Sequence, residues 1–244
     1  MTSTDIKNTF LSGLDKYDNL LDILVSKFPS YNASNIDGYF VYRCGQIQKI
    51  FHTFVLIVSS TCDSHSAQAI LRILADHVAS LKLIYTETSK EKIILRHMLY
   101  VMDGCKERIK LNQNLKKDPN IDDHGIHNAD RIIKNENEAI RICKNIITKL
   151  QIYSQNTAYI DRLLQHACWK YKDEYNNEYK WKDLYKDVLD MPNDYISYLS
   201  QHVHGLAGGI GSDDDNPEYL LYGTAMCLQS EFSKTIITYF HIKV

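Results

Sequence analysis

Proline and glycine are scarce, 4 and 10 among 244 residues. So few turn formers exclude a many-turned β-sandwich and suit long helices. No apolar run approaches the roughly twenty residues that a bilayer span needs. The most apolar stretch, Phe51 to Ser60, is far shorter and carries His52. The N-terminus, Met1-Thr2-Ser3-Thr4-Asp5, lacks a basic region followed by an apolar core, so no signal peptide is expected. The six cysteines, at 44, 62, 105, 143, 168 and 227, form no C-x-x-C pair, which removes the zinc-knuckle and thioredoxin readings. Reduced, buried thiols in a cytoplasmic chain are the expectation. No charge sign dominates either: the net charge is −2, so gross electrostatics give no drive toward nucleic acid, and only a local basic patch could.

What the chain does have is apolar residues at three-and-four spacing, within a hydrophobic fraction of 44 %. Phe10, Leu14, Tyr17, Leu21 and Leu24 form one stripe, stopped after Phe28 by Pro29. Phe40, Cys44, Ile47, Phe51 and Phe54 form a second, and Ala67, Leu71, Leu74, Val78 and Leu81 a third, with Asp63 or Ser64 placed to cap it. Thr88-Ser89-Lys90-Glu91 reads as a capping box for a fourth helix. Asp118 to His127 reads as a polar loop, and a fifth helix follows Asn128 through Leu150. A shorter one starts near Thr157, and another runs from about Asp194 to Val203. Asn216-Pro217 has the cap-then-proline order that opens the last helix. Between Tyr171 and Pro192 the periodicity weakens, with Trp181 and Leu184 as anchors. Such faces can be satisfied only against one another. The fold predicted is all-α: one domain over 1–244, a bundle of about seven helices, with 171–211 as an irregular Tyr-rich cap that includes a glycine loop.

Four constellations could carry chemistry. The first is Arg72-Ile-Leu-Ala-Asp-His77. Metal-free RNA cleavage needs a base for the 2′-hydroxyl, an acid for the leaving oxygen and a cation for the phosphate charge, and His and Arg suit those tasks. The bland alternative is an i,i+4 ion pair between Arg72 and Asp76 with His77 flanking the core. The second is Tyr198-Leu-Ser200-Gln-His202-Val-His204-Gly205, followed by glycines at 208, 209 and 211. Ser200 and His204 share a helix face and could hydrogen-bond. A Ser-His nucleophile, a phosphate cradle and a simple helix C-cap at Gly205 all stay open. The third, Asp122-Asp123-His124 to His127 and Asp130, is either a metal site or a solvated capping loop. The fourth is the Tyr/Lys stretch from Trp169 to Tyr198, which could stack bases were its lysines not matched by acidic residues.

The R-x4-H spacing of Arg72 and His77 resembles the active-site motif of the HEPN superfamily, the helical higher-eukaryote and prokaryote nucleotide-binding proteins that include RNases. The resemblance implies a homodimer in which two motifs face each other, Arg72 stabilising phosphate charge and His77 acting as acid and base. A second resemblance is to an uncharacterised bacterial all-helical protein family. It rests on Arg72 with Asp76, on Trp181, and on Tyr195, Leu199, Ser200, His204 and Gly205. It implies a helical cytosolic protein and brings no reaction.

The expectation is therefore an RNA-cleaving or RNA-binding effector, of a bacterial toxin or phage-defence kind, catalysed by Arg72, His77, Ser200 and His204 with Asp76 in support. No metal, cofactor or membrane is called for. The alternative is a non-catalytic helical module that binds a protein partner. A further expectation joins the two motifs: Ser200 and His204 should bond each other or Arg72 and Asp76, because a buried Arg or His needs a partner.

Overall fold

The computed structural model describes residues 2–61, 63–172, 177–189, 191, 197–200 and 217–242. They form α1 (Ser3–Lys27), α2 (Ile36–Ser60), α3 (Ser64–Tyr85), α4 (Lys90–Leu115), α5 (Asp123–Ile147), α6 (Gln151–Gln155), α7 (Thr157–His166), α8 (Trp181–Asp187), α9 (197–200) and α10 (Pro217–Phe240). Among the described residues no strand occurs, only an isolated bridge between Tyr171 and Glu178. The all-α class holds, and the number of helices exceeds the seven or so expected. The excess comes from short elements such as α6 and α8, which are five and seven residues long, too short to show a repeating stripe.

The caps explain several boundaries. Thr2 and Asp5 exchange hydrogen bonds at the start of α1, each side chain accepting from the other's backbone N–H. Asp63 accepts from Ser66 N at 3.0 Å and opens α3. Asp122 accepts from Gly125 N at 2.7 Å, so α5 starts five residues earlier than the expected loop allows: the acidic residues read as loop are its first turn. The capping box expected over Thr88-Ser89-Lys90-Glu91 does not form: the residue before α4 is Ser89, and its side chain makes no cap hydrogen bond. Glu91 instead accepts from the backbone N–H groups of Gln151 and Ile152, both at 2.9 Å, and so caps α6.

The chain divides into two compact units. The first comprises 1–31, 37–86 and 179–244. Its core is aromatic: Phe10 lies 5.9 Å from both Phe51 and Phe54 and 5.8 Å from Tyr222, ring centre to ring centre. Each such fully buried ring stabilises the fold by about 2–3 kcal/mol through removal of apolar area from water. Helix α10 packs against both α1 and α3. It buries Tyr222, Leu228, Phe232 and Ile236 together with the polar Gln229 and Thr235 on one face, and leaves Cys227, Ser230, Lys234 and Thr238 exposed on the other. Gln229 donates to the carbonyl of Phe10 at 3.2 Å, and a side chain at Gly13 would meet its amide at 2.5 Å, so α1 and α10 approach closely there.

The second unit comprises 32–36 and 87–178. Helices α4 and α5 pack along each other around Leu95, Met98, Met102, Cys105, Cys143 and Ile147. Ala167 ends α7 at φ 52°, the left-handed position that usually takes glycine, and Cys168 N closes back on Leu163 O at 3.0 Å. That turn aims the carbonyls of Trp169 and Tyr171 at Arg96 of α4, whose Nη1 bonds them at 2.9 and 3.0 Å. Arg96 Nη2 bonds Glu87 at 2.6 Å, and its guanidinium lies 3.9 Å from the centre of the Tyr171 ring. Next to it His97, fully buried, donates from Nε2 to Ala33 O at 2.9 Å.

Candidate functional site

Four side chains of the first unit converge on one point. Arg72 of α3 donates from Nε to Ser200 Oγ of α9 at 2.8 Å and pairs through Nη1 with Asp76, one turn along the same helix. Tyr185 of α8 donates its hydroxyl to Asp76 Oδ1, and its ring carries the Arg72 guanidinium 4.7 Å from its centre. Side-chain exposure is 15 % for Arg72 and 34 % for Asp76, so the cluster is half-sheltered. Burial, and next the hydrogen bond to Asp76, push the Tyr185 hydroxyl well above its ordinary range, so it stays a donor.

The cluster is built by spacing. Arg72 and Asp76 are i,i+4 and project from one face of α3. Leu184 is fully buried and seats α8, which swings the adjacent Tyr185 over Arg72. Leu199, also fully buried, fixes α9 and brings Ser200 to the same place. Trp181, expected to be an anchor, is instead 37 % exposed and stacks outside on Tyr185 at 6.1 Å. Leu184 and Tyr185 carry the burial in this short helix.

His77 is not part of the cluster. Five positions along an α-helix turn the side chain by about 140° from Arg72. The imidazole is pushed below its ordinary pKa by burial first and by the Arg43 guanidinium of α2 second, with Asp76 opposing. Arg43 is itself buried and donates to Ser80 Oγ at 2.7 Å; that hydroxyl donates on to His77 O at 3.0 Å. His204 and Gly205, with the glycines that follow, lie outside the described residues, so the Ser200–His204 pairing does too.

The chemistry of the arrangement is that of a clamp. Arg72 Nε is hydrogen-bonded to Ser200, its charge is ion-paired with Asp76, and its face lies over Tyr185. Ser200 Oγ accepts the Arg72 hydrogen bond through a lone pair. A groove of about 850 Å³ beside α1 and α10 and a pocket of about 450 Å³ beside Leu189 and Met191 include none of Arg72, Asp76, His77 or Ser200 in their linings.

The other two constellations are taken up by structure. Asp122 caps α5, His124 Nε2 accepts from Asn128 at 3.0 Å, and Asp130 pairs with Lys116 at 2.5 Å. Among the described residues no group of three or more His, Cys, Asp or Glu could hold a metal ion. In the Tyr/Lys stretch, Trp169, Tyr171 and Tyr185 are buried and so are not presented for stacking on bases. Sequence reasoning missed Arg96 and Tyr185. Arg96 and His97 interrupt the apolar sequence Ile93-Ile94-Leu95 and Met98-Leu99, and a charge inside such a run signals a buried, partnered group. No helix among the described residues is long and apolar enough to cross a membrane. No family model, no curated protein and no solved structure matches this chain.

Proposed function

We propose that this chain is a non-catalytic helical module that binds a protein partner, with Arg72, Asp76, Tyr185 and Ser200 as a clamp that fixes α8 and α9 on α3. One observation carries the reading: the guanidinium that would receive phosphate charge is hydrogen-bonded to Ser200, ion-paired with Asp76 and stacked on Tyr185. Buried free thiols at Cys44, Cys105 and Cys143 support a reducing, cytoplasmic setting for it.

One observation favours the RNA-cleaving, HEPN-like reading instead. His77 is only half-buried and is held toward its neutral form, and a neutral imidazole near pH 7 can act as a base. That reading also needs a homodimer. Expressing the wild type beside His77→Ala and Arg72→Ala, and scoring growth, RNA integrity and melting temperature, separates the two. The module reading expects intact RNA in all three and a lower melting temperature for Arg72→Ala. RNA degradation by the wild type that vanishes in a folded His77→Ala would overturn it. A monomer by light scattering counts against the RNase.

A further inference from the structure

We infer that one face of the α4–α5 pair is where this chain binds a second copy of itself, turned end for end, so that the two pairs form a four-helix bundle. The inference deepens the interaction-module reading by naming the partner, and rests on it. Helix α5 is 25 residues long and buries only Ala129, Cys143 and Ile147. Among the described elements it packs broadly on α4 alone. Two helices bury only the seam between them, whereas four enclose a core.

Two ion pairs fix which residues share a face. Arg108 of α4 bonds both carboxylate oxygens of Glu136 of α5, at 2.7 and 2.9 Å, and Lys116 pairs with Asp130. The chain advances along α4 as it retreats along α5, so the helices are antiparallel. Eight positions turn a side chain by about 80°, so the two pairs straddle the seam, one on each edge. On the Arg108 edge, Gly104, Leu111 and Leu115 lie at i−4, i+3 and i+7 from Arg108. Across the seam, Ile132 and Ala139 lie at i−4 and i+3 from Glu136. Leu111 is 67 % and Leu115 46 % exposed, and Ile132 and Ala139 are half-buried.

The relief of this face selects the occupant. Toward the α4–α5 turn it is bulky, with Leu111, Leu115 and Ile132. Beyond the Arg108–Glu136 pair it is small, with Gly104 and Ala139. Outside its own helix backbone, a side chain at Gly104 would meet only Arg108 Nη1, at 3.3 Å, so the small end is open. Leu111, Ile132, Gly104 and Ala139 all lie three or four positions from the ion pair. A copy turned end for end about that level sets its Leu111 over Gly104 and its Ile132 over Ala139, and receives the same in return. That is the self-complementarity a two-fold contact requires.

Charge and area agree with a second copy. Among these face residues only Arg108 and Glu136 are charged, and they cancel within one copy. Two such pairs meeting at the axis form a neutral quartet, while nucleic acid or an acidic partner finds no net charge to bind. From Gly125 to Ile146 the face is about 32 Å long, and two helix axes about 10 Å apart make it about 20 Å wide. A copy therefore covers about 600 Å² before the relief is counted, close to the roughly 800 Å² per partner of a stable dimer.

The test uses the full chain. Light scattering at micromolar concentration should give the mass of a dimer. Leu111→Lys places a charge at an exposed position, so the far-UV circular dichroism should stay as it is while the dimer dissociation constant rises at least tenfold. Gly104→Trp should weaken the dimer similarly by filling the small end. A photo-crosslinking residue at Leu111, in chains mixed with heavy-isotope chains, should give adducts on the heavy peptide that contains Gly104. A monomer overturns the proposal, as do a dimer that ignores both variants and adducts that miss the Gly104 peptide. In cells, adducts from Leu111 to another protein and none to the chain itself sink the second copy and leave the module reading standing. Failure of the module reading shows elsewhere, in RNA cleavage that His77→Ala abolishes.

Discussion

Arg72 and Arg96 each lie over a tyrosine ring, 4.7 Å from the centre of Tyr185 and 3.9 Å from that of Tyr171, and each ties part of the 169–200 stretch to a long helix of its own unit. They differ in depth and in partners. The Arg96 side chain is 4 % exposed and bonds two backbone carbonyls and Glu87. The Arg72 side chain is 15 % exposed and bonds only side chains, one of them the third-exposed Asp76. The difference matters because removing one member of a buried charged set leaves the others unsatisfied, whereas half-exposed partners turn to water. Arg96 is accordingly a foundation of its unit, and Arg72 a fastener whose loss the fold survives.

The sharpest way to break this contrast is to delete both arginines separately. Arg96→Ala is expected to cost about 3–5 kcal/mol, because it strands two carbonyls and Glu87. That corresponds to a melting temperature lower by about 10 °C or more in a chain of this size. Arg96→Lys should rescue little of it, since one ammonium cannot reproduce the planar fork. Arg72→Ala is expected to cost about 1–2 kcal/mol, measured in the same melts. Equal losses would refute the distinction.

Smaller changes sharpen the picture inside each unit. Ala167→Gly relieves a left-handed residue at the turn that presents carbonyls to Arg96, and should raise stability by about 1 kcal/mol in urea unfolding. Glu91→Ala removes the cap of α6 and should cost about 1 kcal/mol. The smallest effect concerns pH. His77 is held below its ordinary pKa, so on acidification the unfolded chain takes up a proton before the folded one. Its contribution is fully present above the unfolded value of about 6.5 and is lost as pH falls from there toward the depressed folded value. His77→Gln should flatten that part of the stability profile, and an unchanged slope would show that another group causes it.

How legible each feature was in the sequence follows from its range. The α1 stripe and the Asp63 cap could be read because their partners lie within one turn or repeat every three or four residues. The Arg72–Asp76 pair was legible for the same reason, and the Arg72–Ser200 bond was expected from a resemblance that joins the two segments. Tyr185 was not, because a seven-residue helix offers too few repeats and its partner lies 109 positions away. Glu91 was read as a local cap and serves α6 instead, since a carboxylate sixty residues away is as good an acceptor as one nearby.

The sequence by itself determined the helices and their apolar faces, because the 3.6-residue turn makes local spacing sufficient to define a face. The tertiary structure alone decided which polar groups meet. It placed Tyr185 and Ser200 on Arg72, Tyr171 and Glu87 on Arg96, and His77 beside Arg43 rather than in the cluster. A hydrogen bond between distant segments depends on how whole helices pack, and no local pattern encodes that.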